Sequence, residues 1–132
     1  MEPKVRIIEL PDLGDARGYS FTAPAEAIEF VGAIQDVHFA SVLPGAVRGN
    51  HFHLRRREAI VIFAQSPWSF HWDEGSATAP QHIAITRPGA TLITVAPGAW
   101  HAVRNDGNQV MTLAAFSSEP YDPAETVARK LI

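Results

Sequence analysis

The chain has 132 residues, the size of one domain, and its 46 % hydrophobic and 19 % charged residues exclude a disordered polypeptide. A formal net charge of -3 argues against a general nucleic-acid binder, although nine of the 11 cations are arginine, the better fork for carboxylate or phosphate. The absence of cysteine removes disulfide scaffolds, thiolate metal sites and cysteine nucleophiles from consideration. No apolar segment of signal-peptide length opens the sequence, and the longest apolar run, residues 59–64, is far too short to span a bilayer. The expectation is a soluble, cytoplasmic, single domain over residues 1–132, with neither a membrane nor a nucleic acid as partner.

Ten prolines and nine glycines cut the chain into short segments. Residues 25–34 have room for one short helix, but Gly32 interrupts it, and no stretch keeps a helical period long enough to persist. The remaining segments read as strands. Residues 37–42 form a β-branched and aromatic run that stops at the Pro44-Gly45 turn. Residues 59–64 form an apolar strand, preceded by three arginines that read as a solvated turn. From Trp68 to Asp73 alternation is strict, with Trp68, Phe70 and Trp72 on a core or interface face and Ser69, His71 and Asp73 opposite. A turn follows at Glu74-Gly75-Ser76, then a strand over residues 91–95. Asn105-Asp-Gly-Asn108 reads as a hairpin turn between strands at 100–104 and 109–115. Many short strands joined by turn chemistry predict an all-β sandwich or barrel.

The segment from Gly45 to Glu58 carries the chemistry. On a strand, His51 and His53 share a face with Cα atoms roughly 6–7 Å apart. Two imidazoles so placed converge on one ion at about 2.0–2.1 Å each. A turn before Glu58 lets its carboxylate reach the same point, and His101 offers a fourth donor from a later strand. Three imidazoles and a carboxylate suit Zn, Ni, Fe(II), Mn or Cu better than Ca or Mg. His38 shares its strand face with Asp36, which permits either an oriented base or a structural hydrogen bond; His82 reads as surface.

The spacing Gly45-x5-His51-x-His53-x4-Glu58 resembles the first cupin motif, with Gln65 where the closing glycine usually stands. Pro97-Gly98-x-x-His101-x-x-x-Asn105 resembles the second, with proline one residue closer to glycine than usual. The resemblance implies a double-stranded β-helix, or jelly-roll barrel, holding a divalent metal, Zn first, through His51, His53, Glu58 and His101. A narrower resemblance covers most of residues 15–130. Asp15-Ala-Arg17-Gly18-Tyr19, Gln35-Asp36 and Val47-Arg48-Gly49-x-His51 are similar to motifs of dTDP-4-dehydrorhamnose 3,5-epimerases. The Arg48-to-Glu58 segment is similar to the C-terminal cupin domain of the capsular-polysaccharide epimerase/reductase and to dTDP-4-keto-6-deoxyhexose 3,4-ketoisomerases. The tail Tyr121-Asp-Pro-Ala-Glu-Thr-Val127 is similar to tails in this branch.

Cupins host many functions, so the fold alone does not assign one. The resemblance implies an epimerase or ketoisomerase acting on a nucleotide-activated 4-keto-6-deoxy sugar, with Arg17 and Arg48 holding the substrate and Asn50 beside them. His38 and His71 are candidate bases because ligand histidines have committed lone pairs, whereas family analogy makes His51 the base. The epimerases' late-strand tyrosine is missing from residues 109–115, and arginines stand where their lysine follows the histidine motif. These departures favour single-centre epimerisation or ketoisomerisation over 3,5-epimerisation. A non-catalytic sugar binder and a metal-dependent dioxygenase are the competing readings. Analogy also implies a homodimer, with residues 127–132 as a strand available for pairing between subunits.

Overall fold

The computed structural model describes residues 2–75 and 79–132. Its ten strands are β1 (Val5–Glu9), β2 (Asp36–Val42), β3 (Val47–His53), β4 (Glu58–Ala64), β5 (Trp68–Asp73), β6 (Gln81–Ile85), β7 (Gly89–Val95), β8 (Trp100–Asn105), β9 (Met111–Ser117) and β10 (Thr126–Ala128). They form two five-stranded antiparallel sheets, ordered β1-β7-β4-β9-β2 and β10-β3-β8-β5-β6. Within β2 to β9, the orders 2-9-4-7 and 3-8-5-6 are those of a jelly roll, which confirms the expected cupin barrel.

Alternation decides which side chains enter the space between the sheets. Ile60 and Ile62 of β4, Trp68 and Phe70 of β5, Ile93 and Val95 of β7 and Val103 of β8 form one buried cluster, with Trp72 packed against it. The three alternating aromatics are therefore core. Opposite them, His71 and His82 stack on the outer face of β5 and β6 with ring centroids 5.5 Å apart.

A helix does form, α1 (Ala25–Val31), and Gly32 ends it rather than interrupting it. Gly32 adopts φ 76°, a left-handed conformation suited to glycine, and its N–H donates to the carbonyl of Ile28. Ala27 and Val31 pack on Ala59 and Leu92, covering the outer face of the first sheet.

One further expectation is corrected. β8 and β9 lie in different sheets, so residues 105–108 form a corner between sheets rather than a hairpin turn. Buried Asn105 builds that corner: its side-chain amide donates to the carbonyls of Val42 and Gln109 and accepts from the N–H of Gly107. In the tail, Thr126–Ala128 form β10, which pairs on one side with the chain's own β3 and is the edge of the second sheet. The turn expected at Glu74-Gly75-Ser76 runs into residues 76–78, outside the described residues. Among the described residues, no helix is long and apolar enough to cross a membrane.

Candidate active site

The site begins with an irregularity in β3. Gly49 has φ 94° and Asn50 φ 58°, and the pairing with β8 shifts register between Gly49 and His51. A Cβ on Gly49 would lie 2.7 Å from the His101 carbonyl oxygen, so glycine is required where the strand crosses. Beyond this bulge His51 stands opposite His101, and His53 remains on the same side. Ring centroids are 4.7 Å apart for His51–His53, 4.9 Å for His51–His101 and 5.8 Å for His53–His101. One nitrogen from each imidazole lies within 4.8 Å of the other two. Glu58, the first residue of β4, brings Oε1 to 3.0 Å from His53 Nε2 and 3.6 Å from His101 Nε2.

His53, Glu58 and His101 are buried, and His51 is half-buried. Glu58 Oε1 and His53 Nε2 face each other without hydrogen-bond geometry, leaving both buried polar atoms unsatisfied. Buried polar atoms cost free energy unless paired, so this convergence suits a cation. Three imidazoles with one carboxylate are the donor chemistry of a divalent transition ion. His101 Nδ1 lies 3.0 Å from the carbonyl of Ala99; a carbonyl only accepts, so Nδ1 carries the proton and Nε2 faces Glu58. The structure thus brings together all four predicted ligands.

Electrostatics follow from the burial. Desolvation, reinforced by His101 and His53, pushes the His51 imidazole down to about 4, so it is neutral at physiological pH. Desolvation also lowers His101. In His53 the same penalty is outweighed by Glu58 and Glu125, which raise it. Burial alone would raise the Glu58 carboxyl, but the His53 contact and the neighbouring histidines pull it down to about 2.

Above these groups lies a cavity of about 320 Å³ lined by His38, Arg48, His51, Glu58, His101 and Leu113, among others. His38 reaches it from β2, and Arg48 from β3. Arg48 is exposed, and its Nε–H donates to the Ser41 carbonyl at 2.7 Å, bridging the two sheets. Its terminal amino groups make no ion pair among the described residues. No tyrosine or lysine lines the cavity.

Several candidates stand elsewhere. His71 lies on the outer sheet face, bonded to Ser69 Oγ at 2.8 Å, because strand alternation turns it away from the core side. Asn50 holds the tail: its Oδ1 accepts from the N–H groups of Leu131 and Ile132. Arg17, in the exposed loop before α1, is paired with Asp15 at 2.6 Å and does not line the cavity. Asp36 approaches Arg56 at 3.7 Å, so no Asp36–His38 dyad orients the base. The arginine run is a solvated turn only in part, with Arg55 and Arg57 exposed. Arg56 is buried, and Arg57 donates to the Phe30 and Val31 carbonyls at the end of α1. Sequence reasoning missed Glu125, which is wholly buried with Oε1 2.8 Å from His53 Nδ1. Its only signal was the similarity of the tail.

The family model for the polysaccharide biosynthesis C-terminal domain matches residues 14–127. No curated protein matches the chain in sequence. Among solved structures, the chain is similar to QdtA, a sugar 3,4-ketoisomerase from Thermoanaerobacterium thermosaccharolyticum in complex with TDP. That match has 19 % identity and a TM-score of 0.71 over 96 % of this chain and 89 % of that one. It is also similar to ChmJ, a 3'-monoepimerase from Streptomyces bikiniensis in complex with dTDP-quinovose, at 19 % identity, TM-score 0.77, 95 % and 69 % coverage. A third similar structure is the capsular polysaccharide assembling protein CapF from Staphylococcus aureus, at 17 % identity, TM-score 0.66, 74 % and 27 % coverage. At these identities the structural likeness is one of fold; the family match, spanning most of the chain, establishes membership. The chain belongs to the polysaccharide biosynthesis C-terminal domain family.

Proposed function

We propose that this protein is a sugar-nucleotide isomerase, an epimerase or ketoisomerase of a nucleotide-activated 4-keto-6-deoxy sugar. The observation that carries the reading is the cavity, which pairs a guanidinium at its mouth with a floor of imidazoles and a carboxylate. Family membership and the fold shared with QdtA and ChmJ support it. The Arg48 terminal amino groups hold a diphosphate oxygen, leaving the sugar above the floor. His38 takes the proton from the carbon beside the carbonyl, since it lines the cavity but stands outside the imidazole cluster. The C–H electron pair becomes the new C=C bond, and the carbonyl oxygen takes the charge of an enediolate. Reprotonation of the same carbon from the other face, by a donor other than His38, inverts it; protonating the former carbonyl carbon, while the hydroxyl on the deprotonated carbon passes its proton to the former carbonyl oxygen, moves the ketone. Both outcomes are redox-neutral.

His51, His53, Glu58 and His101 would hold a divalent metal, Zn first. When bound, such an ion supplies Lewis acidity toward the sugar carbonyl. The lack of a cavity tyrosine or lysine favours chemistry at a single centre, and equally favours the second reading, a sugar binder without turnover. We take the working form to be a homodimer in the cytoplasm, supported by exposed apolar residues on edge strand β2 and by the absence of cysteine. Incubation with dTDP- and UDP-4-keto-6-deoxyhexoses, with products identified by NMR, is expected to yield an isomer at the same oxidation level. Saturable binding without any new isomer would establish the binder instead.

A further inference from the structure

We infer that Glu125 is a positioning residue of the histidine cluster, holding the His53 proton on Nδ1 so that the Nε2 lone pair faces the candidate metal site. The role rests on the metal-binding reading above. Glu125 closes the short 3-10 turn Pro123–Glu125 and is 0 % exposed. Its Oε2 accepts two backbone N–H groups, from Arg55 at 2.9 Å and Arg56 at 2.8 Å. These donors fix which way the carboxylate faces. Oε1 is left against His53 Nδ1 at 2.8 Å, with Arg56 Nε 3.6 Å away. An ionised carboxylate can only accept, so the shared proton belongs to Nδ1. Thr126 Oγ1 lies 3.1 Å from the same nitrogen, but a hydroxyl donates or accepts and cannot select the tautomer.

Glu58 competes for that proton from the other edge of the ring, and geometry decides between them. The Nε2–Glu58 approach of 3.0 Å lacks hydrogen-bond alignment, whereas the Nδ1–Glu125 contact has it. His101 reaches the same tautomer through Ala99, so both buried imidazoles present Nε2 to Glu58. The C-terminal segment is therefore part of the site, tied in where β10 pairs with β3 and Thr126 stands opposite His53.

The near-isosteric Glu125→Gln variant reverses the arrangement. Its single amide oxygen is claimed by the two backbone N–H groups, which places the amide nitrogen, a donor, against Nδ1. Nδ1 must then accept, and the proton moves to Nε2. Long-range proton–nitrogen NMR correlation reads the tautomer of His53 in metal-free protein, at a pH where the ring is neutral. Competition with a chromophoric chelator reads Zn(II) affinity, and circular dichroism verifies the fold. Expected are Nδ1–H in the parent protein, Nε2–H in Glu125→Gln, and Zn(II) affinity lower by about 10–100-fold in the variant. Nε2–H in the parent protein overturns the inference, whether or not the variant folds. A folded variant with parental tautomer and affinity overturns it as well. Parent protein that shows Nδ1–H yet binds no Zn(II) upholds the proton placement and defeats the metal reading instead.

Discussion

The surroundings of His51 and Glu58 lower both groups, so each makes the fold sensitive to acid. His51 falls from 6.5 in the open chain to about 4 when folded. As pH drops below 6.5 the unfolded state takes the proton first, and stability is lost toward pH 4. Glu58 falls from 4.5 to about 2, so its contribution is present above pH 4.5 and disappears as pH approaches 2. His53 has the opposite sign: raised above 6.5, its contribution is complete below that pH and is lost as pH rises through the folded value. Metal-free protein should therefore be most stable near pH 6.5, with urea midpoints falling on either side. A midpoint that climbs from pH 6.5 toward 4 contradicts this balance. For the donor set, His51→Ala and His101→Ala should each weaken Zn(II) binding at least about tenfold, as read by elemental analysis after dialysis. Full retention in both variants removes them as ligands. His51, His53 and Glu58 were legible in the sequence because a period-two strand and a short turn allow their convergence, and His101 because its segment resembles the second cupin motif. Glu125 was not, because no local spacing announces a carboxylate that arrives from the distant tail.

Among the elements, β3 has the narrowest tolerance. Gly49→Ala combines φ 94° with a Cβ 2.7 Å from the His101 carbonyl oxygen and 3.1 Å from the Ala102 Cα, both backbone atoms that cannot swing aside. It should cost about 1–3 kcal/mol in urea unfolding and displace His51 from the cluster. Unchanged stability together with unchanged metal affinity would contradict the bulge's role. The strand Trp68–Asp73 was readable because its alternating aromatics, Trp68, Phe70 and Trp72, pack into the core. The hairpin reading of residues 105–108 failed for a different reason. Turn chemistry reports that the chain reverses, but it does not say which sheet receives the next strand. Helix α1 was read only as having room to form, because Gly32 looks the same in sequence whether it breaks a helix or caps one.

At the scale of the molecule, β2 is the edge of the first sheet, and it carries Val37 and Phe39, the latter 72 % exposed. It contains no lysine, arginine or proline of the kind that protects a free edge. In the proposed homodimer a second copy would cover it, so Phe39→Lys should shift sedimentation from dimer to monomer while leaving the fold intact. A monomeric parent protein would contradict the homodimer. The all-β sandwich or barrel followed from the number and length of the strands, and the jelly roll from the resemblance of the two histidine motifs to cupins; the exposure of Phe39 did not, since nothing in the sequence marks its strand as an edge. The central claim, proton abstraction beside a sugar carbonyl, is tested most directly by incubating the Zn(II)-loaded protein with dTDP- and UDP-4-keto-6-deoxyhexoses in deuterium oxide and locating deuterium by NMR. Wash-in reports deprotonation even where equilibrium hides net conversion. The account predicts deuterium at a carbon flanking the ketone, above the level of a His38→Ala control. No incorporation into either sugar nucleotide, from protein that binds them, would contradict it.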